Sequence, residues 1–516
     1  MAAELQGRTV RILTIGIKKR KNIMGGFFGV VSTGSCVSDL FFGTDYHSHL
    51  GNQRGGMLVL GRKGFSRCIH DISNAQFRSK FQYDVDQLDG NMGIGSISDY
   101  GDQPLMTFSH LGTFGITMVG VISNLEALSR SAYRSNHAHF AEMTDDGINP
   151  TEMVASLISI EPSFAEGIRS AQQKIQGSCS MLLLSKDGIY AVRDRYGRTP
   201  VVIGEKTERI TVKRTETIDG KIKEVEYEEE KHSYAATFET CAFQNLDYKV
   251  IRWLGPGEAV LLKPDGIEDI LPPLETMRLC TFLFVYYGFP ASCYEGINVE
   301  QVRYRCGAAL ARQDGKIDVD AVAGVPDSGT AHALGYSQES HLPYIRSFVK
   351  YTPTWPRSFI PADQSTRNVV AKMKLISIPT FIEGHKLLFC EDSIVRGTQL
   401  RDTFARLPGL GAKEVHVRSA CPPILYNCKY LNFSRSHTIL ELAARRAIKK
   451  LEGGDCEANL DQYADSSTEK YAQMVDEVRK ELGLTSLRYQ TLDDLIKAVG
   501  LPVDKLCTYC WNGREE

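Results

Sequence analysis

The residues best suited to chemistry lie in one segment of the C-terminal half, KLLFCEDSIVRGTQL at 386–400. Its first part, 386–390, is apolar and predicts a buried strand, and the adjacent carboxylates of Glu391 and Asp392 follow at the end of that strand. A turn through Gly397 then enters the predicted helix QLRDTFARL. Ligands of open α/β sheets bind at such strand ends, and the backbone amides of the turn suit an anion. The two acids instead suit ribose hydroxyls or a hydrated Mg²⁺.

A phosphate site, a sugar diol and a metal in one loop together describe phosphoribosyl pyrophosphate (PRPP). The alternative is an ordinary helix cap after an acidic turn, and for Asp392 and Ser393 alone that alternative would be favoured. The complete string, with two acids and a glycine before a helix, favours the PRPP site.

The elements that precede this segment are mostly strands. From Gly25 to about Leu262, short runs rich in β-branched and aromatic residues are bounded by glycine and Asp-Gly. Two stretches with helical spacing, 149–160 and 163–175, interrupt them. Strands, a pair of helices and strands again predict an α+β layered domain. Residues 207–231 alternate around an Asp-Gly turn and predict an exposed, charged hairpin.

The pattern changes at about Pro273, where strand, loop and helix begin to alternate. That order predicts a parallel sheet with crossover helices. The sequence beyond about Leu440 predicts helices and ends in LCTYCWNGREE. The predicted organisation is an N-terminal extension, a layered domain, an α/β domain and a helical tail with a CxxC pair, at 1–24, 25–270, 271–445 and 446–516.

The composition excludes several classes of protein. The chain has 60 basic and 62 acidic residues and a formal net charge of −2, without the basic excess of a nucleic-acid or polybasic membrane surface. No apolar run reaches the roughly 18 residues that a membrane helix needs. The 13 cysteines are odd in number and spread over the chain. They favour a reduced, cytoplasmic protein in which some thiols bind metal, not a secreted disulfide framework.

The string E-D-S-I-V-R-G-T at 391–398 resembles the PRPP motif of type I phosphoribosyltransferases, in particular that of the amidophosphoribosyltransferase family. The similarity to this family runs from Met24 to the C-terminus. GIYAVRDRYGRTPVVIG, ETCAF and LGPGE resemble its glutaminase-type domain; VPDSGTAHALGY, RSFIPADQSTRNVVAKMKL and GAKEVHVRSACPPILYNC resemble its transferase domain.

The resemblance implies an α+β N-terminal-nucleophile (αββα) class II glutamine amidotransferase-like domain followed by an α/β type I phosphoribosyltransferase domain. It also implies PRPP and ammonia or another amine as substrates, purine nucleotides as possible effectors and a homo-oligomeric assembly. No nucleic acid or membrane partner is expected.

The same resemblance implies roles for individual residues. Lys350, Arg357 and Lys374 fall in the stretch that closes over the substrate in the family, where positive charge would hold the leaving pyrophosphate. Taken singly, each of these bases is also compatible with a solvated surface charge. Glu391 and Asp392 would hold Mg²⁺. The loop at 326–329 resembles the pyrophosphate loop of the family. The implied substrate-binding residues are Asp327, Ser328, Gly329, Glu391, Asp392, Ser393, Ile394, Val395, Arg396, Gly397 and Thr398.

The resemblance fails at the positions that hydrolyse glutamine. The family begins its mature chain with a nucleophilic cysteine, and Gly25 stands at the matching position. Ser98 replaces the arginine that binds the glutamine carboxylate, and Val119 replaces the asparagine that stabilises the oxyanion. Residues 53–55, Gln-Arg-Gly, still resemble a family turn and are interpreted as retained scaffold. The three replacements predict an inactive glutaminase half.

The C-terminal pair Cys507 and Cys510 is compatible with zinc, an iron–sulfur cluster, a redox dithiol or idle thiols. Several bacterial members of the resembled family carry a 4Fe–4S cluster on four separated cysteines, and Cys241 and Cys428 match the other two positions. The resemblance therefore implies a 4Fe–4S cluster on these four residues, with zinc as the alternative. The remaining nine cysteines are predicted to be small apolar packing groups: Cys36, Cys68, Cys179, Cys280, Cys293, Cys306, Cys390, Cys421 and Cys456.

Two functions compete at this point. An intact PRPP loop beside a degenerate glutaminase site predicts an enzyme that forms phosphoribosylamine from PRPP with free ammonia, the first step of purine biosynthesis. Leu283, Phe289 and Ala291 replace three polar residues of the family near its domain interface. Those losses instead favour a catalytically inactive homologue that senses PRPP or purine nucleotides. Transfer to an unidentified amine or a purine base is a third hypothesis.

Overall fold

The computed structural model describes residues 25–99, 101–134, 140, 143–144, 147–218, 221–351, 375–431 and 438–515. The predicted extension at 1–24 lies outside these residues, as do Arg357 and Lys374. Within the described part of the chain, no helix is long and apolar enough to cross a membrane.

The N-terminal half contains two antiparallel sheets packed face to face, because apolar side chains of both sheets share one core that includes Phe27, Ile94 and Leu182. The seven strands of the first sheet, in spatial order, are Lys249–Trp253, Val202–Ile218, Lys221–Thr237, Gly25–Ser32, Met92–Ser98, Arg54–Gly61 and Gly64–Asp71. The six strands of the second are Gly266–Leu271, Ala259–Lys263, Gly188–Val192, Gly177–Ser185, Gly112–Ile122 and Leu105–Ser109.

Helices cover the outer faces of both sheets, which completes four layers. Phe28 and Val59 of the first sheet pack against helices Val37–Asp45 and Phe77–Val85. The second sheet packs against Pro150–Ser159 and Phe164–Lys174, whose N-termini are capped by the side chains of Asn149 and Ser163. The predicted α+β layered arrangement is confirmed. Helices Leu125–Arg134 and Cys241–Asn245 and the strand pair Met143–Thr144 and Gly147–Ile148 complete this half.

The predicted charged hairpin is longer than the sequence suggested. Strands Val202–Ile218 and Lys221–Thr237 pair along their full length, while neighbouring strands pair only with the base of the hairpin. The outer part therefore projects as a two-stranded ribbon, with Lys213 of one strand 3.2 Å from Glu226 of the other. The predicted Asp-Gly turn lies outside the described residues.

The C-terminal half contains a four-stranded parallel sheet, in the order Ala321–Gly324, Lys386–Glu391, Glu414–Ser419 and Ser486–Tyr489. Gly324 pairs with Cys390, and Glu391 pairs with Ser419, so the carboxyl ends of the first three strands meet at one edge. The loops that follow these strands are therefore neighbours, as parallel topology requires.

Among the described residues of this half, the helices are Val299–Asp314, Gly329–Ser340, Thr398–Phe404, Ala443–Leu451, Leu460–Ala464, Glu469–Leu482, Leu492–Val499 and Tyr509–Asn512. A π-helical turn lies at Leu283–Tyr287, and 3₁₀ turns lie at Pro379–Phe381, Pro408–Leu410, Ile439–Glu441 and Val503–Lys505. Short strand pairs join Cys293–Tyr294 to Ile297–Asn298 and Phe348–Lys350 to Leu375–Ser377.

The tail predicted to be helical also contributes strands. Ser486–Tyr489 forms an edge of the parallel sheet. Leu506–Cys507 pairs with Leu279–Cys280, at the junction between the two halves of the chain. The tail is thus integrated into the fold: it adds a strand to the parallel sheet and returns to the junction between the two halves.

Candidate functional site

Two loops meet at Asp392, one residue beyond the strand Lys386–Glu391 of the parallel sheet. The hydroxyl of Ser328 donates to one carboxylate oxygen of Asp392 at 2.5 Å, and that of Ser393 donates to the other oxygen at 2.5 Å. The amide of Val325 also donates to the carbonyl of Cys390 at 3.0 Å. The two segments predicted to bind different parts of one ligand are therefore joined directly.

Glu391 lies beneath this junction and is only 8% exposed. Burial, followed by the adjacent charge of Asp392, raises the pKa of Glu391 well above its ordinary value of 4.5. Among the described residues, its Oε2 atom is buried and accepts no hydrogen bond. A buried carboxylate oxygen without a donor is costly, and a cation or a ligand hydroxyl at this position would satisfy it.

The rest of the loop is fixed by the helix Ala443–Leu451. The amide of Ala443 donates to the carbonyl of Val395 at 2.9 Å, and Arg446 donates to the carbonyl of Arg396 at 2.8 Å. Ile394 is 2% exposed and packs in the apolar core, so its side chain is not accessible to a ligand. Gly397 has φ of 72°, a left-handed conformation that favours glycine, immediately before the exposed Thr398.

The loop after the first strand carries the other predicted ligand contacts. Lys350, at the end of its short strand, forms an ion pair with Asp327. The helix Gly329–Ser340 begins so close to the strand Lys386–Glu391 that a Cβ atom on Gly329 would lie 2.4 Å from the carbonyl oxygen of Cys390. Packing therefore explains the glycine, because any side chain at this position would collide with the backbone of that strand.

The acidic pair fits Mg²⁺ but does not enclose it. Within the described ranges, no three His, Cys, Asp or Glu side chains are grouped so as to hold a metal ion. Mg²⁺ usually binds one or two carboxylates and takes its other ligands from water and substrate phosphates. Glu391 and Asp392 fit that requirement as a pair of carboxylates. The Oε2 atom of Glu391 has no hydrogen-bond partner among the described residues and could therefore accept a cation or a water ligand of the cation.

The space beside Gly25, where the sequence resemblance would place a nucleophilic side chain, is filled. Gly25 pairs with Ser98, and a Cβ atom on Gly25 would lie 2.5 Å from the carbonyl oxygen of Ile97. A Cβ atom on Gly26 would lie 2.6 Å from the ring of His47. Real Cβ atoms essentially never approach so closely, so a side chain at either position requires the strand or its neighbours to move.

The other two replaced positions belong to the interior. Ser98 is 1% exposed and accepts a hydrogen bond from Gln103 at 3.3 Å. Gln103 in turn accepts from the hydroxyl of Thr117 and from the amide of Met118. Val119 is 4% exposed and packs between the sheets. Arg54, from the retained turn, forms an ion pair with Asp102 at 3.2 Å.

Four cysteines line one cavity near the domain junction, together with aromatic residues and Arg198. They are Cys280, Cys428, Cys507 and Cys510. Cys241, predicted as the fourth ligand, does not line it: its thiol lies 3.6 Å from a carboxylate oxygen of Glu239, and its amide donates to Ser292. Cys280, predicted to be a packing group, lies on the wall because its strand pairs with that of Cys507.

These thiols do not form a ready-made ligand set in the described part of the chain. Burial, followed by the charges of Cys507 and Cys428, raises the pKa of Cys280 well above its ordinary value of 9.0. Burial also raises the pKa of Cys507, and the Arg198 guanidinium opposes that shift. The guanidinium lies 3.8 Å from the ring centre of Tyr430. A metal or cluster would remove the mutual repulsion of these thiolates by binding them.

The sequence did not predict that Cys280 and Arg198 line this cavity, because their positions there depend on contacts between distant segments. The one indication in the sequence was that Cys280 begins the interface stretch that carries Leu283 and Phe289.

Comparison with known proteins agrees with this architecture. Residues 92–214 match a glutamine amidotransferase domain. Relatives named amidophosphoribosyltransferase include one from Methanocaldococcus jannaschii, 28% identical with 95% of this chain and 97% of that protein covered. Another, from Synechococcus elongatus, is 27% identical with 95% and 90% covered.

Solved structures give the same fold. The glutamine phosphoribosylpyrophosphate amidotransferase from B. subtilis, complexed with ADP and GMP, has a TM-score of 0.76 and 24% identity, with 95% of this chain and 96% of that chain covered. The chain is therefore a homologue of the amidophosphoribosyltransferases, with a glutamine amidotransferase-type domain followed by a phosphoribosyltransferase domain.

Proposed function

We propose that the protein catalyses the amidophosphoribosyltransferase reaction with free ammonia. The ammonia nitrogen forms a bond to the anomeric carbon of PRPP, the bond from that carbon to the pyrophosphate oxygen breaks, and pyrophosphate leaves with the bonding electron pair. The new ammonium group then loses one proton to solvent, which yields phosphoribosylamine.

The observation that carries the proposal is the junction of Ser328 with Asp392 beside the unbonded oxygen of Glu391. It joins the loop that would hold pyrophosphate to the loop that would hold the ribose phosphate. Displacement at an anomeric carbon develops positive charge on the sugar and negative charge on the leaving group. A site with fixed acids on the sugar side and the base Lys350 on the pyrophosphate side complements both charges.

Mg²⁺ would supply charge neutralisation of the pyrophosphate when bound. Glu391 and Asp392 are the residues that would hold it, through ribose hydroxyls or water. Ser328 and Ser393 keep the Asp392 carboxylate oriented, since each hydroxyl donates to a different oxygen. The backbone from Val395 to Thr398 would bind the ribose phosphate, and its tether to the helix Ala443–Leu451 fixes that backbone.

The choice of ammonia over glutamine is supported by Gly25. The position lacks a nucleophilic side chain, and the carbonyl of Ile97 occupies the space into which a Cβ atom would extend. Ser98 and Val119 are packed as parts of the interior, not as ligands of a glutamine substrate. Hydrolysis of glutamine by attack of a cysteine thiolate is therefore not expected.

The test is a pyrophosphate-release assay with Mg²⁺ and PRPP, in which ammonium and glutamine are supplied separately. Release should depend on ammonium and should stay at background with glutamine. Equal rates with both nitrogen sources would contradict the inactive glutaminase half. Absence of release with ammonium, in a protein that PRPP stabilises thermally, would contradict the transferase reaction itself.

A PRPP- or nucleotide-sensing homologue is the second candidate. It is supported by the apolar interface stretch, in which Leu283 is fully buried and Phe289 is 41% exposed. This function predicts thermal stabilisation by PRPP with Mg²⁺ but no turnover with ammonium, glutamine or other amines. The panel of amines therefore separates the two candidates in one series.

We also propose that the four-cysteine cavity binds a 4Fe–4S cluster, with zinc as the alternative and with Cys280 as a ligand in place of Cys241. The support is the common cavity wall and the burial that makes unbound thiolates costly.

Iron, sulfide and zinc should be measured in protein purified without oxygen. Cys280→Ser should lower the metal content severalfold, while the matched variant Cys241→Ser should retain it; the opposite pattern would restore Cys241 as the ligand.

A further inference from the structure

A buried carboxylate, Glu239, joins the two halves of the molecule. It is fully buried, between the strand Lys221–Thr237 and the helix Cys241–Asn245. One carboxylate oxygen accepts from the amide of Phe289 at 3.1 Å and from the hydroxyl of Tyr294 at 2.6 Å. The other lies 2.9 Å from His49 Nε2 and accepts from Ser292 at 3.4 Å. One side chain therefore contacts His49, in the turn after helix Val37–Asp45 of the N-terminal half, and three residues of the C-terminal half.

Neighbouring contacts reinforce this attachment. The amide of Cys293 donates to the hydroxyl of Thr240 at 2.8 Å, and the amide of Cys241 donates to that of Ser292 at 3.2 Å. Burial opposes ionisation of Glu239, but His49, the Tyr294 hydroxyl and His47 together lower its pKa to about 2. The carboxylate is thus charged at neutral pH and accepts charge-assisted hydrogen bonds, which are the stronger kind.

The attached segment leads to the candidate PRPP site through Arg303. This residue is 3% exposed and donates to the carbonyls of Phe284, Tyr286 and Gly288 at 3.1, 3.0 and 2.7 Å. Burial lowers the pKa of Arg303, and the charge of Asp392 opposes that shift.

The helix that carries the pyrophosphate loop rests on the same segment. The two ring nitrogens of His332 lie 3.1 Å from the carbonyl oxygen of Arg303 and 3.3 Å from that of Val285. His332 belongs to the helix Gly329–Ser340, and the residue before that helix is Ser328, which bonds to Asp392. Hydrogen bonds and polar contacts, joined by short stretches of backbone, therefore connect Glu239 to the junction of the two loops.

We propose that Glu239 is a positioning residue for the transferase reaction: it fixes the segment 283–294 against the N-terminal half and, through Arg303 and His332, sets the placement of the pyrophosphate loop. This inference rests on the proposed transferase function for its kinetic consequence. It also gives the N-terminal half a role that does not require glutamine hydrolysis.

Glu239→Gln is the informative change because an amide cannot replace the carboxylate. Each carboxylate oxygen accepts from at least two donors, whereas the amide nitrogen of glutamine accepts none. Whichever way the amide turns, two buried donors lose their acceptor.

The matched control is Glu258→Gln. Glu258 is 4% exposed, and its carboxylate binds Arg252 and the amide of Gly255, both within the N-terminal half.

The experiment measures amide hydrogen exchange over 284–294 and 329–340 in the full-length protein, together with the kinetics of ammonium-dependent pyrophosphate release. Glu239→Gln should accelerate exchange in both segments and raise the PRPP concentration for half-maximal release about tenfold, with a smaller change in kcat. Glu258→Gln should change neither. Tyr294→Phe removes one donor and should shift the same readouts in the same direction by a smaller factor, about threefold.

Unchanged exchange in 329–340 in both Glu239→Gln and Tyr294→Phe would overturn the proposal, as would equal acceleration in Glu258→Gln. If the wild-type protein releases no pyrophosphate, the transferase function fails while the exchange data still decide whether Glu239 positions the helix. If turnover is normal and the half-saturating PRPP concentration does not respond to Glu239→Gln, the positioning role fails alone.

Discussion

The surroundings of Gly25 and of Glu391 differ in how fully they are packed and hydrogen-bonded. At Gly25 the carbonyl of Ile97 fills the volume that a side chain would need, and the neighbouring Ser98 is bonded to Gln103. At Glu391 a buried carboxylate oxygen has no donor among the described residues, although burial makes its charge costly. The first region has the features of a packed interior, whereas the second retains an unmet requirement that a ligand would satisfy.

The two regions therefore differ in packing as well as in residue type. A glycine can leave open space beside the backbone, but here the neighbouring strand beside Gly25 and the ring of His47 beside Gly26 fill that space. In the transferase domain the corresponding polar groups stay aligned at one sheet edge. This contrast supports the proposal that only the transferase half is active.

The largest expected effect is that of Asp392→Asn on ammonium-dependent pyrophosphate release. The asparagine side chain has one acceptor oxygen where the carboxylate has two, so either Ser328 or Ser393 would lose its acceptor. The substitution would also remove the negative charge from the proposed Mg²⁺ site. We expect a loss of about a hundredfold or more in kcat/KM for PRPP. Asp402→Asn, an exposed change of the same charge in the following helix, is the control and should have little effect. Similar losses in both variants would show that the loop geometry does not matter.

A substitution that tests the closed region is Gly25→Ala. Its methyl group would meet the Ile97 carbonyl at 2.5 Å, so the strand must shift. We expect a loss of about 2 kcal/mol in the free energy of unfolding, measured by urea denaturation. Gly409→Ala, at a position where a Cβ atom meets nothing within 4 Å, should be close to neutral. A Gly25→Ala variant as stable as the wild type would mean that the region is open after all.

The smallest effect concerns the pH dependence contributed by Glu391. Its raised pKa means that the folded protein binds this proton more tightly than the unfolded chain does. The associated stability is complete below the ordinary value of 4.5 and is lost as pH rises through the folded-state pKa. Glu391→Gln stays neutral and should remove this loss, which has a slope of up to about 1.4 kcal/mol per pH unit.

The measurement is thermal unfolding from about pH 5 upward, without ligand and with Mg²⁺ and PRPP. In the wild type, stabilisation by the ligands should grow as pH rises, because the cation replaces the proton on Glu391. Glu383→Gln, at an exposed glutamate, should follow the wild type. A ligand effect with the same pH dependence in wild type and Glu391→Gln would argue against a carboxylate–cation role for Glu391.

Local patterns predicted the parts of the fold that depend on local physics. The apolar run at 386–390 lies in the strand Lys386–Glu391, the helix expected after Gly397 begins at Thr398, and GGFFGVVS forms the predicted strand Gly25–Ser32. The ribbon at 202–237 was expected from its alternation, although its length was underestimated. The strand Ser486–Tyr489 was missed because four residues are too few for a periodic signal.

The features that sequence could not predict depend on contacts between distant segments. Cys280 joins the thiol cavity only because its strand pairs with that of Cys507. The role of Glu239 follows from its burial against Tyr294 and His49, which no spacing in the chain encodes. The collision at Gly25 likewise depends on the register between its strand and that of Ile97.

The nitrogen source tests the central claim most directly. The protein should be given Mg²⁺, PRPP and equal concentrations of ¹⁵N-ammonium and unlabelled glutamine, and the phosphoribosylamine formed should be trapped and analysed by mass spectrometry, with the labels exchanged in a second reaction. The account predicts that the product nitrogen comes from ammonium in both reactions. Product nitrogen that comes from the glutamine amide would contradict it.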